Sequence, residues 1–229
     1  MKIEEIRFVK PPAHINEYLT HWTGSNQKDQ NEAFEILSKI VTTKALKFSP
    51  AQISFASDNW NVKQQMICFT DTPIKQSYDH CEVYGYFGIS FNKKKLIKYG
   101  ANPVFYVVDK RKPSIQLLRD IHLSRNNESL LFGWVQSSIQ PYATFYEREW
   151  RIVRLLPFNS NPSAEKYQGP FDETYFEGEI RPGKNEDEFF LMFNPNLIEN
   201  IVVPKDYQSQ AEKLITDNHL NVDLLIIYN

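Results

Sequence analysis

The chain is poor in cysteine, glycine and methionine, and it carries no large excess of either charge. Its 229 residues include two cysteines, eight glycines and three methionines. Cys68 and Cys81 cannot form the disulfide framework of a small secreted domain, so we expect a protein of the reducing cytoplasm. The 26 basic and 28 acidic residues nearly cancel, and this balance argues against unspecific binding to nucleic acid through net charge.

Long apolar runs are missing as well. The longest, such as 224–228, hold only a few residues, whereas a helix that spans a bilayer needs about 20. The opening residues MKIEEIRFVKPP are rich in charge and lack the apolar centre of a secretion signal. We therefore expect a cytoplasmic localisation and no membrane partner.

Several motifs that carry chemistry are also missing. The sequence has no G-x-G-x-x-G, no G-x4-G-K-[ST] and no G-x-S-x-G, so dinucleotide-binding, P-loop and hydrolase-elbow sites have no motif to support them. The cysteines and histidines lack the paired spacing of a zinc site, and we expect no metal. No helix-turn-helix pattern is evident, which makes a DNA regulator the least favoured class.

Aromatic residues are abundant instead, with 16 Phe, 12 Tyr and 4 Trp in an otherwise ordinary globular composition. We expect one domain over residues 1–229, with irregular excursions at 46–63 and 159–187. Periodicity predicts strands at 17–23, 66–69, 84–91, 103–109, 146–156, 188–193, 200–203 and 222–228. It predicts helices from Asn31, over 92–99, over 112–138 and over 206–218. This irregular order favours an α+β fold with a mixed, mainly antiparallel sheet and flanking helices.

The segment Tyr146–Arg151 carries the most informative pattern. Alternation along a strand puts Glu147 and Glu149 on one face together with Arg151. Two neighbouring carboxylates can hold different pKa values and serve as a catalytic pair. The alternative is that both are solvated edge residues that balance Arg148 and Arg151.

Other polar residues allow two interpretations each. His21, beside Trp22 and Thr23 at a strand end, can contact a ligand or be a partly buried histidine satisfied by backbone groups. Cys68 is expected in the core rather than as a nucleophile. The basic run 93–98 can meet a phosphate or form a solvated helix face, and the acidic stretch 165–188 can contact a basic partner or form a loop.

Four segments together resemble the AbiGi-like family of abortive phage-resistance proteins, for which an antitoxin role is proposed. They are HWTG (21–24), ICFTDTP (67–73), YGYFGISFNKKKLIKYGANPVFYV (84–107) and EREWRIV (147–153). The resemblance covers most of residues 17–156. It implies a phage-defence function and a cognate toxin or other defence-system protein as partner.

A second resemblance is to ADP-ribosyltransferases of the poly(ADP-ribose) polymerase type, which bind NAD. It implies that His21 binds ribose and that Glu149 or Glu147 supports the departure of nicotinamide. Cys68 stands where that class has a stacking tyrosine, so a ring such as Tyr78, Tyr84 or Tyr86 would have to serve.

The same resemblance implies that Trp22 and Thr23 line the cleft and that the diphosphate lies near a basic group, either Arg151 or a lysine of 93–98. Two function classes follow from the two resemblances. One is a defence protein with an NAD-dependent, transferase-like site. The other is a non-enzymatic antitoxin or regulator that acts by binding a partner protein.

Overall fold

The computed structural model describes residues 1–6, 16–25, 29–50, 65–107, 139–141, 147–154, 178–185 and 188–227. These residues form four α-helices and fourteen strands. The helices are α1 (Gln30–Thr43), α2 (Tyr78–Tyr84), α3 (Lys93–Ile97) and α4 (Gln208–Asp217). The strands are β1 (Ile3–Ile6), β2 (Tyr18–Thr23), β3 (Ala45–Lys47), β4 (Ser49–Pro50), β5 (Gln65–Thr70), β6 (Phe87–Asn92), β7 (Asn102–Pro103), β8 (Phe105–Val107), β9 (Ile139–Pro141), β10 (Glu149–Arg154), β11 (Glu179–Pro182), β12 (Phe189–Met192), β13 (Ile198–Pro204) and β14 (Asp223–Ile227).

Nine of the strands belong to one mixed, largely antiparallel sheet, which confirms the predicted α+β class. By its contacts the chain divides into two compact units. The first comprises Met1–Leu46, Phe69–Ile97 and Met192–Asn229, and the second comprises Lys47–Cys68 and Lys98–Leu191. The expectation of one domain stays a prediction.

In the first unit the strands follow the order β1, β14, β13, β6, β2, with the end of β5 next to β2. The pairs β1–β14 and β13–β14 are parallel, whereas β6 is antiparallel to both β13 and β2. Helix α1 packs on one face of this sheet through a stripe at helical spacing, formed by Ala33, Leu37, Ile40 and Val41. Asp29 caps the helix by accepting from the backbone N–H of Asn31, so the predicted cap at Asn31 is wrong by two residues.

Helix α2 lies on the opposite face of the same sheet. Cys81 of this helix packs with Ile74, Trp22 and Val202 in a buried apolar cluster. The strand predicted over 84–91 is therefore wrong at its start, because the chain is helical up to Tyr84 and β6 begins at Phe87. Gly85 ends the helix at a φ of 97°, a conformation that favours glycine.

In the second unit, β4 pairs with the first residues of β5, and β7 pairs with β10. Strands β8 and β9 form a separate parallel pair. The predicted strand 146–156 is confirmed over Glu149–Arg154. The predicted helix over 112–138 and most of both predicted excursions lie outside the described residues.

Candidate functional site

The candidate residues of β2 point to opposite faces of the sheet in the first unit. His21 pairs with Ile89 and Thr23 with Phe87, while Trp22 between them pairs with Gly88. His21 is half-buried, and its ring centroid lies 5.7 Å from that of Phe69. Since side chains alternate along a strand, His21 and Thr23 share the face of α1, and Trp22 faces α2.

Trp22 is buried and meets Tyr86 on the face of α2. The rings share the apolar cluster around Cys81 and Ile74. Gly88 is what lets the indole lie there, because a Cβ on Gly88 would be 2.8 Å from Cε3 of Trp22. Among the described residues the indole N–H of Trp22 has no hydrogen-bond partner, although Trp22 is only 8% exposed.

The two candidate tyrosines flank the end of α2. Tyr84 is the last residue of the helix, is exposed, and lies with its ring centroid 6.2 Å from that of His80. Tyr86 follows the helix and donates its hydroxyl hydrogen to the carboxylate of Glu82. Desolvation, together with this hydrogen bond, raises the pKa of the Tyr86 phenol well above its ordinary value. Tyr86 therefore acts as a neutral hydrogen-bond donor at physiological pH.

Glu149 and Arg151 form a bidentate ion pair in the second unit. The Nε and Nη2 atoms of Arg151 donate to the two carboxylate oxygens of Glu149, each at 2.7 Å. Both residues are buried, with exposed fractions of 8% and 6%. The parallel two-bond geometry is the strongest arrangement available to an arginine and a carboxylate. Alternation along β10 brings these two residues to one face, as the sequence predicted.

Two further side chains contact this ion pair. The Tyr106 hydroxyl oxygen accepts from the backbone N–H of Glu149 at 2.6 Å, and sequence reasoning missed this contact because Tyr106 lies 43 residues away. The residue Cys68 is exposed, but its sulfur atom is desolvated. This desolvation raises the pKa of the thiol well above its ordinary value, and the negative charge of the nearby Glu149 carboxylate raises it further. A thiol of this kind stays protonated and is a poor nucleophile.

Glu147 does not belong to the strand. β10 begins at Glu149, and Arg148 has a φ of 46°, in the left-handed region. The strand alternation that predicted a carboxylate pair therefore does not extend back to Glu147. The role of Glu147 and Glu149 as a catalytic acid and base pair stays a prediction, and strand alternation no longer supports it.

The candidate residues are divided between the two units. His21, Trp22, Thr23, Tyr84 and Tyr86 belong to the first, and Glu147, Glu149 and Arg151 belong to the second. Within the first unit the structure brings Trp22 together with Tyr86, and within the second it brings Glu149 together with Arg151. A joint role of His21 and Glu149 stays a prediction.

One buried polar contact was missed by sequence reasoning. The ammonium of Lys93, the first residue of α3, lies 3.1 Å from the carboxylate of Asp71, which directly follows β5. Lys93 was expected to contact a phosphate or to be solvated with the rest of its run. Instead it forms an ion pair within the first unit.

Within the described ranges no group of three or more His, Cys, Asp or Glu side chains is arranged to hold a metal ion. No helix in the described part of the chain is long and apolar enough to cross a membrane.

Comparison with protein families gives a match to part of the chain. Residues 52–129 match the AbiGi family. The matching model is described as "Putative abortive phage resistance protein AbiGi, antitoxin" and covers about a third of the chain. The resemblance stated above is thus confirmed over a shorter range than 17–156. Comparisons with curated proteins and with solved structures find no match.

The AbiGi match includes β5, α2, β6, α3, β7 and β8 of the described residues. It therefore contains Cys68, Tyr84, Tyr86 and Tyr106. His21 on one side and Glu149 on the other lie outside it.

Proposed function

We propose that this protein is an antitoxin-type component of a phage-defence system and acts by binding a partner protein. The AbiGi match is the observation that carries the proposal, because its description names both abortive phage resistance and an antitoxin. An antitoxin of this kind would bind and neutralise a toxic protein of the same system. We place it in the cytoplasm, where such a partner is made.

The state of Glu149 favours binding over catalysis. A transferase of the type considered above needs a carboxylate that can accept from a ribose hydroxyl. Both carboxylate oxygens of Glu149 already accept from Arg151, so a ribose hydroxyl would have to reach the remaining lone pairs of a residue that is only 8% exposed. The aligned tyrosine is replaced by Cys68, which cannot stack on nicotinamide. We therefore assign the Glu149–Arg151 pair a structural role.

The binding function is tested by co-expression. The products of the genes that neighbour this one are expressed alone and together with this protein, and host growth is measured. We expect a product that arrests growth alone, that is neutralised by this protein, and that co-purifies with it. If no neighbouring product is neutralised and none co-purifies, the proposal is wrong.

The NAD-dependent alternative is tested by NAD consumption in the same preparations, with nicotinamide release as the readout. The informative variant is His21→Ala, since its ring is half-buried and does not belong to the buried ion pair. Turnover that His21→Ala abolishes, in a protein with an unchanged unfolding midpoint, would replace binding with catalysis as the function. No NAD loss above that of a buffer control supports the binding function.

A further inference from the structure

Helix α2 presents an exposed aromatic and aliphatic surface to solvent. Its Tyr78, Val83 and Tyr84 are exposed by 50%, 55% and 38%, while His80 and Cys81 of the same helix are buried. Seven large hydrophobic residues are exposed in the described part of the chain. Two of them, Tyr78 and Val83, lie on the side of α2 away from His80 and Cys81, whereas Tyr84 lies beside His80 at helical spacing. Exposed apolar residues that occur singly need no explanation, but such a group is typical of an interaction site.

The same surface is acidic. Asp79 and Glu82 are exposed on it. Helical spacing places Glu82 next to the ring of Tyr78 and Asp79 next to the side chain of Val83. Between residues 72 and 86 the only basic side chain besides the buried His80 is Lys75. The ammonium of Lys75 lies 2.9 Å from the Glu4 carboxylate, so its charge is directed to β1. We call Tyr78, Asp79, Glu82 and Val83 the α2 surface.

The helix that carries the α2 surface is held firmly. Ser77 directly precedes the helix and is fully buried. Its hydroxyl donates to the carbonyl oxygens of Thr72 and Pro73. Cys81 anchors the inner side in the apolar cluster, and the Glu82 carboxylate accepts from the Tyr86 hydroxyl. A partner that binds here meets side chains on an ordered backbone, so little ordering entropy is lost on binding.

We propose that the α2 surface binds a basic segment of the partner protein, one in which arginine or lysine alternates with apolar residues. The inference rests on the proposed binding function and names its contact. An arginine can lie flat on a tyrosine ring and pair with a neighbouring carboxylate, and both groups occur together here. Tyrosine is also among the residues that contribute most to protein interfaces.

The test uses the full chain and four single substitutions. Tyr78→Ala removes a ring, and its matched control is Ile97→Ala, which removes a side chain that is 49% exposed on α3. Asp79→Lys reverses a charge, and its matched control is Glu35→Lys on an exposed position of α1. Far-UV circular dichroism and the thermal midpoint establish that each variant is folded.

Affinity for the co-purifying neighbour product is measured by calorimetry or surface binding at low and high salt. We expect Tyr78→Ala to weaken binding about tenfold or more, as for a central interface residue. Asp79→Lys should weaken binding mainly at low salt, because salt screens exposed charges. Neither control should change the affinity. If both α2 variants bind as tightly as the unchanged protein, the α2 surface is not the contact, and the binding function stands.

A second measurement does not depend on the neighbouring gene. A synthetic peptide of alternating arginine and leucine is titrated into the isotope-labelled protein, with a glutamate and leucine peptide as control. We expect amide resonances of residues 78–84 to shift with the basic peptide alone, and less in Asp79→Lys. If no neighbouring product binds but these shifts occur, the proposed partner class fails while the basic-segment site stands. Absence of shifts at 78–84 overturns the inference.

Discussion

Replacing Glu149 with glutamine is expected to destabilise the fold strongly. Glutamine has nearly the same shape, so the change removes charge and leaves the Arg151 guanidinium buried without its counterion. Removing one partner of a buried ion pair typically costs about 3–5 kcal/mol. With a urea dependence of about 3 kcal/mol per molar, the unfolding midpoint should fall by roughly 1–1.7 M.

The chain contains a matched control for this substitution. Glu179 and Arg181 form the same pair two residues apart in β11, with both carboxylate oxygens accepting from the guanidinium. These side chains are 61% and 58% exposed, so water already hydrates the two charges. Glu179→Gln should leave the urea midpoint unchanged, because exposed pairs contribute little.

Urea unfolding, followed by both tryptophan fluorescence and circular dichroism, measures the difference. The double variant Glu149→Leu with Arg151→Met removes both buried charges and should recover most of the loss. The reasoning is refuted if Glu149→Gln and Glu179→Gln shift the midpoint equally, or if the double variant is less stable than Glu149→Gln. This cost also means that lost activity in Glu149→Gln would not by itself identify a catalytic carboxylate.

Two further substitutions test the packing around the candidate residues. In a Cys81→Ser background, Glu149→Gln should make Cys68 react faster with a disulfide reagent, because a negative charge that raises the pKa of its thiol is removed. Burial, together with the nearby Glu82 carboxylate, raises the pKa of the Cys81 thiol to about 12, so in the unchanged protein Cys81 should react only after unfolding. An unchanged rate for Cys68 would contradict the first expectation. Gly88→Ala should cost roughly 1–3 kcal/mol because its Cβ would meet the Trp22 ring. In a double-mutant cycle of thermal melts, Trp22→Phe should relieve part of that cost, and strictly additive effects would show that the ring does not clash.

Short apolar runs and helical periodicity were sufficient to predict several of the strands and helices. β2, β5, β13, β14 and α4 were all predicted close to their observed bounds. Helix α2 was missed because Val83 and Tyr84 favour strands, whereas the segment is fixed by the tertiary packing of Cys81. Such packing is not visible in a local pattern.

The candidate site shows the same limit. Alternation correctly placed Glu149 and Arg151 on one face, but the pattern Glu-x-Arg recurs at Glu179 and Arg181 with the opposite exposure. Burial depends on what packs over the strand, and the sequence pattern does not contain that information. The left-handed conformation of Arg148, which takes Glu147 out of the strand, is likewise not predicted by residue type.

The first unit is assembled from three separate stretches of chain, and this has a consequence for its synthesis. β6 lies between β2, which precedes it along the chain, and β13, which follows it only at residues 198–204. Until residues 198–204 leave the ribosome, one edge of the apolar strand β6 lacks its neighbour β13, and pairing over such sequence distances is slow. A truncated mRNA that ends before the codons for β13 would yield a chain in which that edge of β6 is exposed. We expect such a product to aggregate or be degraded rather than retain partial function.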